Sequence, residues 1–91
     1  MIKIEDIVPG KSYACKYKVE TMLDEFGRPY NMSDAPLKGT GVWEGVGILE
    51  QRDLEKRLVR LRDRDYKINQ FVVSFDDIWD IDEIEWIEDE S

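Results

Sequence analysis

Any chemistry in this chain has to come from carboxylates. Asp76, Asp77, Asp80, Asp82, Glu83 and Glu85 crowd into ten residues near the C-terminal end. A calcium loop of the helix–loop–helix kind needs a glycine at its sharp turn and a bidentate glutamate at its end. This run contains no glycine, so the residues predict a solvated acidic face rather than a metal site. Paired carboxylates could serve glycoside hydrolysis, but 91 residues leave little cleft for a sugar. The chain has no histidine, which removes the commonest general base and the commonest metal ligand. Gly39, Gly41, Gly45 and Gly47 are not followed by Gly-Lys-Ser/Thr, so they read as turn and bend positions, not as a phosphate loop. Cys15 alternates with Tyr13 and Tyr17 and reads as a buried thiol, because a reactive one needs an electropositive, exposed setting. The expectation is a domain with no catalysis, no cofactor and no metal.

The elements that must position these groups are short. A chain of 91 residues is one domain, spanning 1–91, with a thin core. Three tryptophans, four tyrosines and three phenylalanines can supply much of that core, since each buries about 150–250 Å². A single cysteine excludes an intramolecular disulfide and favours a reducing, cytoplasmic setting. The N-terminal residues carry no signal-peptide pattern. The longest apolar runs are two or three residues, such as Phe71-Val72-Val73, so no membrane span is expected.

Period-two alternation organises the rest. Pro9-Gly10 suits the centre of a type II turn. Tyr13, Cys15, Tyr17 and Val19 alternate with Ser12, Ala14, Lys16 and Lys18 as a first strand. Residues 20–41 have no clean period and read as a long loop. Their apolar content (Met22, Leu23, Phe26, Tyr30, Met32 and Leu37) predicts that it folds back and offers recognition surface. Residues 42–51 form a second strand, with Val42, Val46 and Ile48 on one face and Trp43, Gly45, Gly47 and Leu49 on the other. Its glycines allow sharp coiling. Strands follow at 57–62 and 70–75. Ser74 then caps a single 3-10 turn, a last strand covers about 80–88, and residues 88–91 form a frayed tail. The predicted core is Tyr13, Cys15, Tyr17, Val46, Ile48, Val59, Leu61, Phe71, Val73, Phe75 and Ile78.

This succession resembles the Src-homology-3-like (SH3-like) barrel: five short strands, a long first loop, two tight hairpins and one helical turn before the last strand. The resemblance implies an all-β, small five-stranded antiparallel barrel. Peptide-binding members of that family carry a proline before the helical turn. Ser74 stands there instead, which speaks against proline-rich peptides. Val8-Pro9-Gly10-Lys11-Ser12-Tyr13, Glu44-Gly45-Val46-Gly47-Ile48 and Phe75-Asp76-Asp77-Ile78-Trp79-Asp80 also resemble small proteins of tailed phages infecting marine cyanobacteria. That resemblance carries no activity. It implies a phage-encoded protein working in the host cytoplasm.

Charge distribution shapes the functional expectation. The net charge is −8, but residues 76–91 hold nine acids and no base. Residues 52–67 lean basic through Arg52, Lys56, Arg57, Arg60, Arg62, Arg64 and Lys67, interleaved with acids. The first expectation is a protein-interaction module. Its partner would meet an acidic rim of Asp80, Asp82, Glu83 and Glu85, with Trp43, Trp79 or Trp86 as anchors, because tryptophan is enriched among interface hot spots. The alternative is a nucleic-acid binder using Arg52, Lys56, Arg57, Arg60, Arg62 and Arg64. Within the domain, Arg57, Arg60 and Arg62 are the expected counter-charges to the acidic rim.

Overall fold

The computed structural model describes residues 2–30 and 36–85. It is all-β. Five antiparallel strands, β1 (Ser12–Asp24), β2 (Leu37–Asp53), β3 (Leu58–Asp63), β4 (Gln70–Ser74) and β5 (Ile78–Ile84), form one sheet in the order β4-β3-β2-β1-β5. A 3-10 turn covers Ile4–Asp6, and a second, Phe75–Asp77, joins β4 to β5. The Ser74 hydroxyl caps that second turn, accepting a hydrogen bond from the Asp76 N–H at 3.2 Å. The type II turn at Pro9-Gly10 is formed: Lys11 N donates to Val8 O at 3.2 Å, and Gly10 sits at φ +89°. Trp86, Met32 and the tail at 88–91 lie outside the described residues.

The sheet is not closed into the expected barrel. β5 pairs with β1, β4 pairs with β3, and among the described residues no ladder joins β4 to β5. The sheet curls instead, bringing the Tyr17 ring of β1 to 5.7 Å from the Phe71 ring of β4. β2 serves both halves: its first part pairs with β1 as far as Ile48, and from Gly47 onward it pairs with β3. A bulge at Glu50 lies between Leu49 and Gln51 in that second ladder, the kind of feature that bends a strand.

The long loop is also shorter than expected. Residues 20–24 and 37–41 are strand, paired Glu20 to Val42, Thr21 to Gly41, Met22 to Thr40 and Leu23 to Gly39. Glycine and threonine on β2 hide the periodicity there. Asp24 closes the ribbon. Its carboxylate accepts from the N–H of Phe26 at 2.9 Å and of Arg28 at 3.0 Å, and Gly27 takes φ +78°.

The core cluster gathers Ile4, Tyr13, Cys15, Tyr17, Val59, Leu61, Val73, Phe75 and Ile81, with Phe71, Ile78, Trp43 and Leu49 packed against it. Val46 and Ile48, two expected core residues, are on the other face. Ile48 is buried there and Val46 half-buried, both apart from the core cluster. The inner face of β2 carries Trp43, Gly45, Gly47 and Leu49. A Cβ at Gly47 would stand 2.8 Å from Leu61 Cδ1. The inner residues of β2 are small because the rings and branched chains opposite are large, so the more apolar-looking face is the outer one.

Candidate functional site

Two arrangements could carry function, one at the centre of the fold and one at its edges. The central one is a polar cluster. Tyr17 of β1 donates its hydroxyl hydrogen to Asp63 Oδ2, and the Trp43 indole N–H donates to the same carboxylate oxygen at 3.1 Å and to the Tyr17 oxygen at 2.9 Å. Asp63 Oδ1 accepts from the N–H groups of Asp65 and Tyr66, both at 2.9 Å, closing the β3–β4 turn. The Tyr66 ring meets the Trp43 ring edge-on at 5.5 Å. Gly45 leaves the space: a Cβ there would lie 2.8 Å from Asp63 Oδ2 and 3.4 Å from the Tyr17 ring.

Asp63 is only 2% exposed. Burial by itself raises its pKa, but hydrogen bonds from Tyr17, the Tyr66 N–H, Trp43 and the Asp65 N–H outweigh it and hold the carboxyl below the usual aspartate range. Burial, and then the hydrogen bond to Asp63, push the Tyr17 hydroxyl far above the ordinary tyrosine value. With the phenol raised and the carboxylate lowered, the proton stays on Tyr17 and Asp63 stays ionised at neutral pH, so the pair has no proton to give or take. The cluster organises the fold. Asp63 was not among the residues the sequence singled out; the Arg-Asp ending of β3, repeated at the end of β2 where Asp53 accepts from Lys56 N at 3.0 Å, is the signal that could have found it.

Trp43, an expected anchor, therefore spends its N–H inside the molecule. Trp79 does not share its location. It sits on β5 opposite Lys16 of β1 and is 39% exposed. Beyond it a second bulge sets Asp80 and Ile81 against Cys15 alone. Asp80 takes φ +52°, a conformation that aspartate tolerates better than most residues, and Ile81 returns to the core. Asp80, Asp82, Glu83 and Glu85 are all exposed.

Their counter-charges differ from those expected. Lys16 lies 3.4 Å from Asp80 and Lys11 lies 3.1 Å from Glu83. The hydrogen bond and charge of Glu83 raise the Lys11 pKa. Among the described residues, Asp82 and Glu85 have no ion-pair partner. None of Arg57, Arg60 and Arg62 reaches the rim, because β1 and not β3 is the neighbour of β5. Arg62 meets Glu50 at 3.2 Å and the Lys67 carbonyl at 2.8 Å. Arg57 stacks on Phe75 with 5.3 Å to the ring centroid and lies 3.5 Å from Asp76. Arg52 donates to the Ile4 carbonyl at 2.6 Å, tying down the N-terminal turn. Arg64 pairs loosely with Asp65 at 3.6 Å. That leaves Lys56 and Arg60 of the basic stretch with neither an ion pair nor a side-chain hydrogen bond among the described residues.

Among the described residues no group of three or more histidine, cysteine, aspartate or glutamate side chains converges as metal ligands. Burial pushes the Cys15 thiol up to about 12, so it is protonated at neutral pH. No family model matches the chain, and no curated protein or solved structure is significantly similar to it.

Proposed function

We propose that this is a small, non-catalytic protein-interaction module that meets a protein partner through the β5 edge. The observation that carries the reading is the division of labour among charges. Most arginines of the basic stretch have roles inside the domain, whereas Asp82 and Glu85 have no counter-charge among the described residues and flank, with Trp79, an open sheet edge. An exposed aromatic beside unneutralised charge is the usual composition of an interface anchor and its rim. The strand order and the 3-10 turn before β5 also support an SH3-like architecture left open along one seam, and such small scaffolds commonly present binding surfaces rather than reaction centres. A phage-encoded module of this kind would work in the host cytoplasm.

The test is capture from the native host with the full chain as bait, compared with Trp79→Ala and with Asp82→Lys/Glu85→Lys. The expected result is a defined protein partner held by the wild type and released by both variants. Retention by the variants, or no protein captured, overturns the reading. The nucleic-acid alternative rests on Lys56 and Arg60, bases of the stretch with neither an ion pair nor a side-chain hydrogen bond among the described residues. Tight, strongly salt-dependent binding of mixed oligonucleotides would establish it instead.

A further inference from the structure

The sheet has two open edges, and they differ in kind. β5 carries a bulge and a row of exposed acids, which discourage pairing with an edge of like charge. β4 has neither. Gln70-Phe71-Val72-Val73-Ser74 contains no charge, no proline and no bulge, and its ladder with β3 is regular from Leu58–Ser74 to Arg62–Gln70.

The direction of its backbone groups follows from the ladder. Asp63 N bonds to Asn69 O, and Phe75 N bonds to Arg57 O, each at 3.0 Å. These bonds bracket the strand and belong to the same alternating set, so Val59–Val73 and Leu61–Phe71 are the hydrogen-bonded pairs. The N–H and C=O groups of Gln70 and Val72 consequently point away from β3. Among the described residues β4 has no second neighbour to receive them. The Val72 side chain is 59% exposed. It lies over a shallow groove of about 210 Å³ lined also by Leu58 and Gln51, in which the bases Arg52, Lys56 and Arg60 outnumber the one acid, Asp53. Lys56 and Arg60, neither with an ion pair or a side-chain hydrogen bond among the described residues, therefore flank the unguarded edge, and Leu54, half exposed, stands in the adjoining turn.

We infer that this edge receives the β5 edge of a second copy of the chain, so that copies join head to tail. The inference rests on the reading of β5 as a binding edge and names its partner. Charge complementarity selects the occupant: Lys56 and Arg60 at one edge match Asp82 and Glu85 at the other, and Trp79 supplies an apolar group for a groove floored by Leu58 and Val72. A contact between two different surfaces of one chain is heterologous, so it builds rings or open filaments rather than a two-fold dimer.

Sedimentation velocity on the full chain, from micromolar to millimolar concentration at physiological salt, tests this. The wild type should self-associate with rising concentration. Lys56→Glu/Arg60→Glu places acid against acid, and Asp82→Lys/Glu85→Lys places base against base. Each should weaken association about tenfold or more. Mixing the two variants restores both contacts and should restore association. Val72→Pro removes an outward N–H, a change that edge strands tolerate, and should abolish association while circular dichroism remains that of the wild type. A wild type that stays monomeric to millimolar concentration, or a mixture no more associated than its components, overturns the inference. Oligonucleotide binding by a monomeric chain through Lys56 and Arg60 does so as well. If the chain is monomeric but still captures a partner that Asp82→Lys/Glu85→Lys releases, the interaction-module reading stands and only the head-to-tail contact falls.

Discussion

The hydroxyl of Tyr17 donates to the carboxylate of Asp63, a residue 46 positions further along the chain. This bond ties β1 to the end of β3, two strands that β2 separates in the sheet. The Trp43 N–H reaches both partners, so three strands share one buried polar centre. Asp63→Ala removes the acceptor of four hydrogen bonds and leaves buried donors unpaired. The expected cost is about 3–4 kcal/mol. Tyr17→Phe leaves the Trp43 bond to Asp63 in place and should cost about 1–2 kcal/mol. Urea unfolding followed by tryptophan fluorescence measures both. Equal costs would show that the Tyr17 hydroxyl, not the carboxylate, is the centre.

The same carboxylate sets an acid limit. Asp63 is held below the ordinary aspartate range in the folded protein despite its burial, and Asp24 is also lowered, chiefly by the Arg28 N–H. Folding favours the charged form of each. Their stabilisation is thus fully present above the unfolded value of about 3.9 and is lost as pH falls through the lower folded values. The melting temperature should be insensitive to these two groups above about pH 5 and should fall below about pH 4. Asp63→Asn should start lower and lose less on acidification. An Asp63→Asn variant with the same acid profile as the wild type would assign the loss to other carboxylates.

Much of this was legible in the chain. Alternation at Tyr13, Cys15 and Tyr17 and at Val59 and Leu61 located the core strands, because one-sided burial imposes period two. The Pro9-Gly10 turn and the Ser74 cap were local signals and held. The β2 face was misread because burial there follows shape: Gly45 and Gly47 face the core since Tyr17 and Leu61 fill the space. The outer strand segments at 20–24 and 37–41 were missed because Gly39, Thr40 and Gly41 carry no apolar rhythm. The partners of the acidic rim depended on which strand lies beside β5, a fact of topology that charge counting does not contain. The open seam between β4 and β5 is of the same kind.

Gly45 offers a direct test of that packing. Its substitution by alanine places a Cβ 2.8 Å from Asp63 Oδ2 and 3.1 Å from the Trp43 indole nitrogen. Neither can retreat without breaking a hydrogen bond to the other strands. Gly45→Ala should therefore destabilise by about 1–3 kcal/mol and change the Trp43 emission. Glu44→Ala, next to it on the outer face and exposed, should stay within about 0.5 kcal/mol. Equal tolerance at both positions would mean that the cluster has room to spare.

Cys15 should be silent in the folded protein. It is 1% exposed, and burial raises its thiol to about 12, so both access and thiolate are lacking. Alkylation at mildly alkaline pH should proceed only at the rate of unfolding, and should accelerate with denaturant in step with the loss of circular dichroism. Rapid labelling without denaturant would mean that β1 separates from β5 at the Asp80 bulge in the native state.

The acidic edge makes a prediction about salt. The chain carries a net charge of −8. Its surface ion pairs, such as Lys16–Asp80 and Lys11–Glu83, are about half exposed, and pairs of that kind contribute little. Screening weakens attraction and repulsion together, so the larger unbalanced sum decides the sign. Here that sum is the repulsion among carboxylates, with Asp82 and Glu85 unneutralised among the described residues. The melting temperature in dilute solution should rise as salt is added, most steeply up to about 0.15 M, where the screening length falls to about 8 Å. Asp82→Asn/Glu85→Gln should raise the melting temperature at low salt and flatten its dependence. A flat or falling curve for the wild type would mean that Lys11, Lys16 and their neighbours already satisfy the rim. The β5 edge would then have no charge left over for a partner.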